Sequence, residues 1–464
     1  MILPRLIIAD EQRPGKVMSG VIAAAILKEM GYRLRLFMGN VDEASMRALQ
    51  LICGMPVTLL DPVLCGNRAN LRWLFQRAAS PDCLNIVIAN LGGRWTEDSP
   101  FRVPKECLFL AEWLKCEVVP VVYSDSASTL TVRTLNEIMG QFDQGAGVRI
   151  RAFLFRSTLN DREYELVDRE AGRQFSSMSL GSIPKLLERD TPLITEMCSG
   201  GANNAIFPLR SAALRLKCMP RQVEWAMFSA LAKMAPEWVR QPELCGPITD
   251  EGKVNVAVVR HPALTLGGDG TEHLIRALGC NVVDVSLDGH ISHSVPIHGL
   301  YVPHGAAHMA LSKFFGNMYL KTMFTRASNG SSFLMAEGGS SPLLGHKITL
   351  PPVQGGGGTG RGFGILPFDS VYKASTFGSP QKLVASSRWD NPLLTGSQES
   401  VWGYSSASLS LVGNGTETAC WGTSETPNGK SCGTDGWSKG RILASSMRLE
   451  PWSAPESFRR WLEG

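Results

Sequence analysis

The chain carries the sequence LIIADEQRPGKV at residues 6–17, and this stretch decides the expected fold. The apolar run at 6–9 predicts a strand, and residues 19–30 have the spacing of a helix. A strand, a tight turn containing Gly15 and Lys16, and a helix form the layout of a nucleotide-binding loop. We therefore expect an α/β domain that begins with a loop of this type.

The same loop lacks several groups that nucleotide chemistry needs. Val17 stands where a Ser or Thr hydroxyl would hold Mg²⁺, and Asp10 and Glu11 would face the phosphates. ATP and Mg²⁺ are therefore not expected to bind. Gly15 and Lys16 remain a candidate anion site at a helix N-terminus, and a solvated lysine is the alternative interpretation.

Bulk properties narrow the class of protein. The 464 residues are enough for two or three domains, and 44% hydrophobic with 19% charged residues is typical of a globular chain. No run reaches the roughly 18 apolar residues of a membrane span. The net charge of +4, without a Lys/Arg block, argues against nucleic acid as a partner. Scattered cysteines and an N-terminus without signal-peptide layout predict a cytoplasmic location.

The chain shows two successive regions in which predicted strands alternate with predicted helices. Apolar runs alternate with helical spacing over 1–185, which predicts a doubly wound, mostly parallel sheet. Residues 186–250 predict a helical connector, and a second α/β domain is expected over 251–464. The glycine-rich run at 355–362 does not lead into a helix, so it predicts a flexible surface loop. One further strand is expected over residues 442–449.

Several motifs of the chain occur in the order found in one known family. Residues 53–66, CGMPVTLLDPVLCG, resemble the motif GRPSRNLDPWLMG; residues 336–339, AEGG, resemble AECGG; and residues 440–445, GRILAS, resemble the start of NVLASYVHLHF. The chain therefore resembles the cobyrinic acid a,c-diamide synthases, and the resemblance extends over nearly the whole chain. It implies a P-loop-like domain of the dethiobiotin-synthetase type, followed by a class I glutaminase-like, flavodoxin-like α/β domain. The family's reaction is ATP-dependent amidation of tetrapyrrole carboxylates, with ammonia released from glutamine.

The resemblance also implies that the catalytic groups are missing. Glutamine hydrolysis needs a thiolate on a strand-to-helix elbow and an imidazole to activate it. The nucleophile position is Gly338, and the family's two histidine positions are Arg448 and Glu450. In the first domain, the family's Asn near the adenine is replaced by Arg156. We therefore expect no catalytic residues in either domain.

Histidines form a cluster that catalysis does not explain. Five of the eight lie between residues 290 and 308. Imidazoles at this density could ligate a metal or a tetrapyrrole centre, or belong to a polar loop beside a strand at 299–302. His290 and His293 are the candidate metal ligands. His304 and His308 lie where the family forms its oxyanion region, which makes them candidates for an altered ligand pocket.

The expected function is that of a non-catalytic relative of this family, not an enzyme. It would bind a tetrapyrrole or a partner protein as an accessory or assembly subunit. The alternative is a divergent ATP-dependent amidotransferase that amidates tetrapyrrole side-chain carboxylates with free ammonia in cobalamin-type cofactor biosynthesis. The absence of both glutaminase groups and of the Mg²⁺ hydroxyl favours the first interpretation.

Overall fold

The structure is a computed structural model that describes residues 1–11, 18–92, 101–124, 128–187, 189–219, 223–243, 245–248, 254–289, 295–351, 357–372, 380–388, 391–396, 398–405, 409–413, 419–425 and 429–464. Two compact units are present: Met1–Val63 with Ala78–Gln241, and Leu64–Arg77 with Pro242–Gly464. The finer division at 1–185, 186–250 and 251–464 stays a prediction.

The elements up to residue 241 alternate between strands and helices. In chain order they are β1 (Arg5–Glu11), α1 (Ser19–Glu29), β2 (Leu34–Met38), α2 (Glu43–Cys53), β3 (Val57–Leu59), α3 (Arg68–Ala78), β4 (Leu84–Gly92), α4 (Lys105–Leu114), β5 (Glu117–Tyr123), α5 (Ser128–Ala146), β6 (Ala152–Thr158), α6 (Asp161–Gln174), β7 (Met178–Pro184), α7 (Ile194–Met197), α8 (Ala202–Cys218) and α9 (Trp225–Lys233). Most of α3 lies in the second unit.

The first unit is built on one parallel sheet. Its strand order is β3-β2-β4-β1-β5-β6-β7, and every neighbouring pair is parallel. All seven residues of the central strand β1 are buried, as expected of a strand covered on both faces. Helices α1, α2 and α8 pack on one another, and α4, α5 and α6 form a second set. The doubly wound α/β fold is therefore confirmed.

The second unit combines a mostly parallel sheet with two smaller sheets. Its further elements are β8 (Asn255–Arg260), α10 (Gly270–Ala277), β9 (Asn281–Ser286), β10 (Gly299–Val302), α11 (Leu311–Gly316), α12 (Met318–Ser328), β11 (Phe333–Glu337), β12 (Lys347–Leu350), β13 (Gly358–Arg361), β14 (Phe368–Tyr372), β15 (Gln381–Ser387), β16 (Ser400–Ser405), β17 (Leu409–Gly413), β18 (Trp421–Glu425), β19 (Ser431–Asp435), β20 (Trp437–Lys439), β21 (Ile442–Ser445), β22 (Arg448–Glu450) and α13 (Pro455–Glu463). The main sheet has the order β20-β21-β11-β10-β8-β9, with only β20 antiparallel. This unit is also α/β, as expected.

Two expectations about the second unit were wrong. Within the glycine-rich run, Gly358–Arg361 form strand β13, paired antiparallel with β12 in the four-stranded sheet β13-β12-β14-β17. Glycine is tolerated there because β13 lies at the edge of its sheet and its residues are largely exposed. The strand expected over 442–449 is two strands. Strand β21 belongs to the parallel sheet, whereas β22 ends the five-stranded sheet β19-β18-β15-β16-β22.

No helix in the part of the chain that the structure describes is long and apolar enough to cross a membrane.

Candidate functional site

The second unit has a sharp elbow at the expected nucleophile position. Strand β11 ends at Glu337, and a 3-10 helix, Gly338–Leu344, begins at the next residue. Gly338 has φ +55°, a left-handed conformation that side-chain-bearing residues rarely adopt. Its N–H donates to the carbonyl of Met447 at 3.0 Å. The backbone therefore keeps the strained strand-to-helix turn on which nucleophiles of hydrolases are carried.

The imidazole of His304 occupies the space above this elbow. A Cβ placed on Gly338 would lie 1.9 Å from His304 Nδ1 and 2.7 Å from Cε1, far inside contact distance. The N–H of Gly339 donates to His304 Nδ1 at 3.0 Å. The amide after the nucleophile is the usual oxyanion donor. The His304 side chain therefore occupies the space of the nucleophile and also accepts the hydrogen bond of that donor. His304 is only 5% exposed, and its ring meets Tyr404 edge-on at 5.7 Å.

The serines after the elbow do not replace the missing thiol. Ser340 Oγ donates to the carbonyl of Pro303 at 2.5 Å, and Ser341 Oγ donates to the carbonyl of Gly338 at 2.7 Å. Both serines are fully buried. The Ser340 hydroxyl therefore links the 3-10 helix to the segment before His304, and the Ser341 hydroxyl bonds within the helix.

The two expected histidine positions form a buried ion pair on β22. Arg448 Nη1 lies 2.5 Å from Glu450 Oε2, and both side chains are 1% exposed. Burial raises the pKa of the Glu450 carboxyl, although Arg448 opposes this shift. A guanidinium cannot act as a general base because it keeps its proton at every accessible pH. Neither residue is therefore the imidazole that the resemblance requires at these positions.

A second carboxylate, Glu337, lies beside this pair. It accepts from Tyr301 Oη at 2.5 Å and from the N–H of Leu449 at 3.0 Å. Burial raises the pKa of the Tyr301 hydroxyl well above its ordinary value, so this hydroxyl stays a donor. In the sequence, this contact is indicated by a charged residue, Glu337, at the end of an apolar strand. Glu337 was not among the predicted site residues.

His308 lies near the elbow but does not touch its amide. Its ring centre is 4.7 Å from that of Tyr372, whose hydroxyl donates to the carbonyl of Gly339 at 3.0 Å. The side chain is half-buried, and burial lowers the pKa of its imidazole. Among the described residues, none hydrogen-bonds its buried Nδ1.

The candidate metal ligands His290 and His293 lie outside the described residues. Within the described residues, no group of three or more His, Cys, Asp or Glu side chains could hold a metal ion. His298, from the same cluster, accepts from the N–H of Asn255 at 3.0 Å through Nδ1. His298 therefore links the residue before β10 to the first residue of β8.

In the first unit, Asp10 is held at the carboxyl end of β1, whereas Gly15 and Lys16 lie outside the described residues. Arg156 Nη1 lies 2.9 and 2.7 Å from the two carboxylate oxygens of Asp10, and the two residues are 2% and 0% exposed. Asp10 also accepts from the N–H of Ser19, the first residue of α1. The guanidinium lies 5.6 Å from the ring centre of Tyr123. Asp10, the acid expected to repel phosphates, is therefore paired with Arg156.

Comparison with known proteins shows the fold at most. No protein-family model and no curated protein matches the chain. A PurLQS structure from Thermotoga maritima is 12% identical, with a TM-score of 0.32, and the match covers 45% of this chain and 98% of that one. A glutamine amidotransferase structure is 20% identical, with a TM-score of 0.30, over 45% of this chain and 97% of that one. Chloroplast FtsY from Physcomitrella patens is 14% identical, with a TM-score of 0.27, over 38% and 57%. The fold assignment rests on the strand orders, because scores this low carry no argument.

Proposed function

We propose that this chain is a non-catalytic protein of amidotransferase-like fold that binds a tetrapyrrole or a partner protein. The observation that carries the proposal is the imidazole of His304 above Gly338, with Gly339 N–H already taken. Acylation of the protein by glutamine, with release of ammonia, would need a thiolate in that space and a free amide for the oxyanion. Neither is compatible with the position of His304.

The ion pair on β22 supports the same proposal. Arg448 and Glu450 stand where the resemblance requires imidazoles, and they form a buried ion pair. The guanidinium does not release its proton near neutral pH, and the Glu450 carboxyl is bound by Arg448, so neither position offers the imidazole that would activate a thiol. The elbow therefore has the backbone shape of a hydrolase elbow without that imidazole.

The ligand class follows from the resemblance to the tetrapyrrole amidotransferases. Of the two candidate ligand-binding histidines, His308 is the better candidate for an axial imidazole, because it is partly exposed whereas His304 accepts a hydrogen bond from Gly339. Titration with a corrinoid and with haem should shift the pigment's absorption band, and His308→Ala should abolish that shift. His346→Ala, which removes an exposed histidine, is the matched control. Unchanged spectra with every pigment offered would leave a protein partner as the remaining ligand.

Glutamate release separates the proposal from the alternative of an active amidotransferase. Purified protein incubated with glutamine should release no more glutamate than a heat-inactivated sample. In parallel, calorimetry should detect no micromolar, Mg²⁺-dependent binding of ATP, since Val17 offers no hydroxyl to the metal. Turnover above the inactivated sample would refute the non-catalytic proposal. Tight Mg·ATP binding without glutaminase activity would instead favour amidation with free ammonia.

A further inference from the structure

The close approach of the His304 imidazole to Gly338 affects the packing of the elbow as well as its chemistry. We propose that the imidazole of His304 fills a cavity above Gly338, and that this cavity would bind a neutral azole if the ring were removed. The proposal stands on packing alone, so it holds or fails independently of the tetrapyrrole or partner.

The main chain around His304 leaves the imidazole little freedom. A Cβ on Gly305 would lie 1.9 Å from the carbonyl oxygen of Ala263, and one on Gly339 would lie 2.0 Å from the carbonyl oxygen of Gly305. The N–H of Ala306 donates to the same Ala263 carbonyl at 2.7 Å. Three backbone segments therefore meet without intervening side chains. His304 is fixed at its Cα by this contact and at its Nδ1 by Gly339.

The far side of the imidazole is closed as well. Tyr404 packs edge-on against the ring, and a Cβ on Gly267 would approach His304 Cβ to 3.2 Å. Because Nδ1 accepts a hydrogen bond, the ring is present as the tautomer with its proton on Nε2. Removing the ring would leave a small cavity with one amide donor, the N–H of Gly339. A neutral azole has the shape and the acceptor nitrogen that fit this cavity.

A double-mutant cycle isolates the overlap from backbone strain. Gly338→Ala should destabilise the fold in two ways, because alanine is strained at the positive φ and its Cβ clashes with the imidazole. Only the clash disappears when His304 is replaced by alanine. The Tm loss caused by Gly338→Ala should therefore be smaller in the His304→Ala background. The expected difference is about 2–4 °C or more, the size of a direct contact in a unit of this length. Additive Tm losses, or failure of both Gly338→Ala proteins to fold, would overturn the pairing.

Free imidazole tests the cavity itself. At about pH 8, where the azole is mostly neutral, it should raise the Tm of His304→Ala in a saturable manner. The native protein and His308→Ala, which also lacks one imidazole but keeps the Gly339 contact, should show no such gain. If His304→Ala folds only when imidazole is present, that result also supports the proposal. An equal response in all three proteins, or none in His304→Ala, would overturn it.

Discussion

At the scale of single residues, the buried Asp10–Arg156 pair of the first unit joins two strands far apart in sequence. Asp10 is the penultimate residue of β1 and Arg156 lies in β6, with β5 between the two strands in the sheet. Asp10 also caps α1, since its carboxylate accepts from the N–H of Ser19, whereas Met18, the residue before the helix, makes no side-chain cap. An unpaired charge in this place would be desolvated without compensation.

Removing either partner should therefore be costly. Asp10→Ala removes the carboxylate that pairs with the buried guanidinium of Arg156, so we expect the first unit to lose about 3–5 kcal/mol of unfolding free energy in urea denaturation. Arg173→Ala, which breaks the exposed pair with Glu170, should cost less than about 1 kcal/mol and serves as the control. A similar small loss for Asp10→Ala would show that the pair does not stabilise the unit.

Sequence reasoning identified the unusual residues but not their partners. Asp10, Arg156 and Gly338 each stood out because a known chemistry requires a different residue there. Their contacts depend on which strand ends become neighbours, and local spacing does not encode this. Asp10 and Arg156 are 146 residues apart, and His304 and Gly339 are 35 apart.

At the scale of elements, the turn between β21 and β22 decides where the Arg448–Glu450 pair lies. The carboxylate of Asp435 accepts from Ser445 Oγ at 2.6 Å, from the N–H of Ser446 at 3.1 Å and from the N–H of Met447 at 3.4 Å. These bonds hold the residues at which the chain leaves the parallel sheet. The sequence at 442–449 predicted one continuous strand, because a side-chain contact that bends the backbone does not alter apolar periodicity.

Asp435→Asn should loosen this turn. The amide offers one acceptor oxygen where the carboxylate uses two, so we expect the second unit to lose about 1–3 kcal/mol. Hydrogen exchange at the amides of Ser446 and Met447 should become faster than in the native protein. Thr434→Ala, an exposed change on the same strand, is the control and should leave both rates unchanged. Unaltered exchange in Asp435→Asn would mean that the strand ends alone define the turn.

At the scale of the whole molecule, the α/β class of both units was predictable and the small sheets of the second unit were not. Parallel strands buried on both faces leave apolar runs such as residues 6–9 and 254–259, which are visible in sequence. The strands of the two small sheets are short, and several are exposed and rich in glycine, serine and threonine, as in β13 and β19. Such residues are equally common in loops, so the strands there depend on pairing rather than on pattern.

The buried carboxyl of Glu450 should make the second unit sensitive to pH. Burial raises its folded-state pKa above the unfolded value of about 4.3, so the native state binds more protons in that interval. Stability should then fall as pH rises from about 4.3 through the raised folded-state pKa. Glu450→Gln should flatten this decline in urea unfolding measured across the interval, even if the absolute stability is lower. Glu456→Gln, at a half-exposed position on α13, should keep the native slope.

The contact between Gly338 and His304 also governs the order in which substitutions can accumulate. A cysteine introduced at position 338 would meet the imidazole far inside contact distance. A histidine lost first would open a buried void, which is destabilising by itself. Each of these changes alone therefore lowers stability, and a cysteine at position 338 avoids the overlap only when His304 is also replaced. Positions 338 and 304 are thus epistatic, because the effect of a change at one depends on the residue at the other.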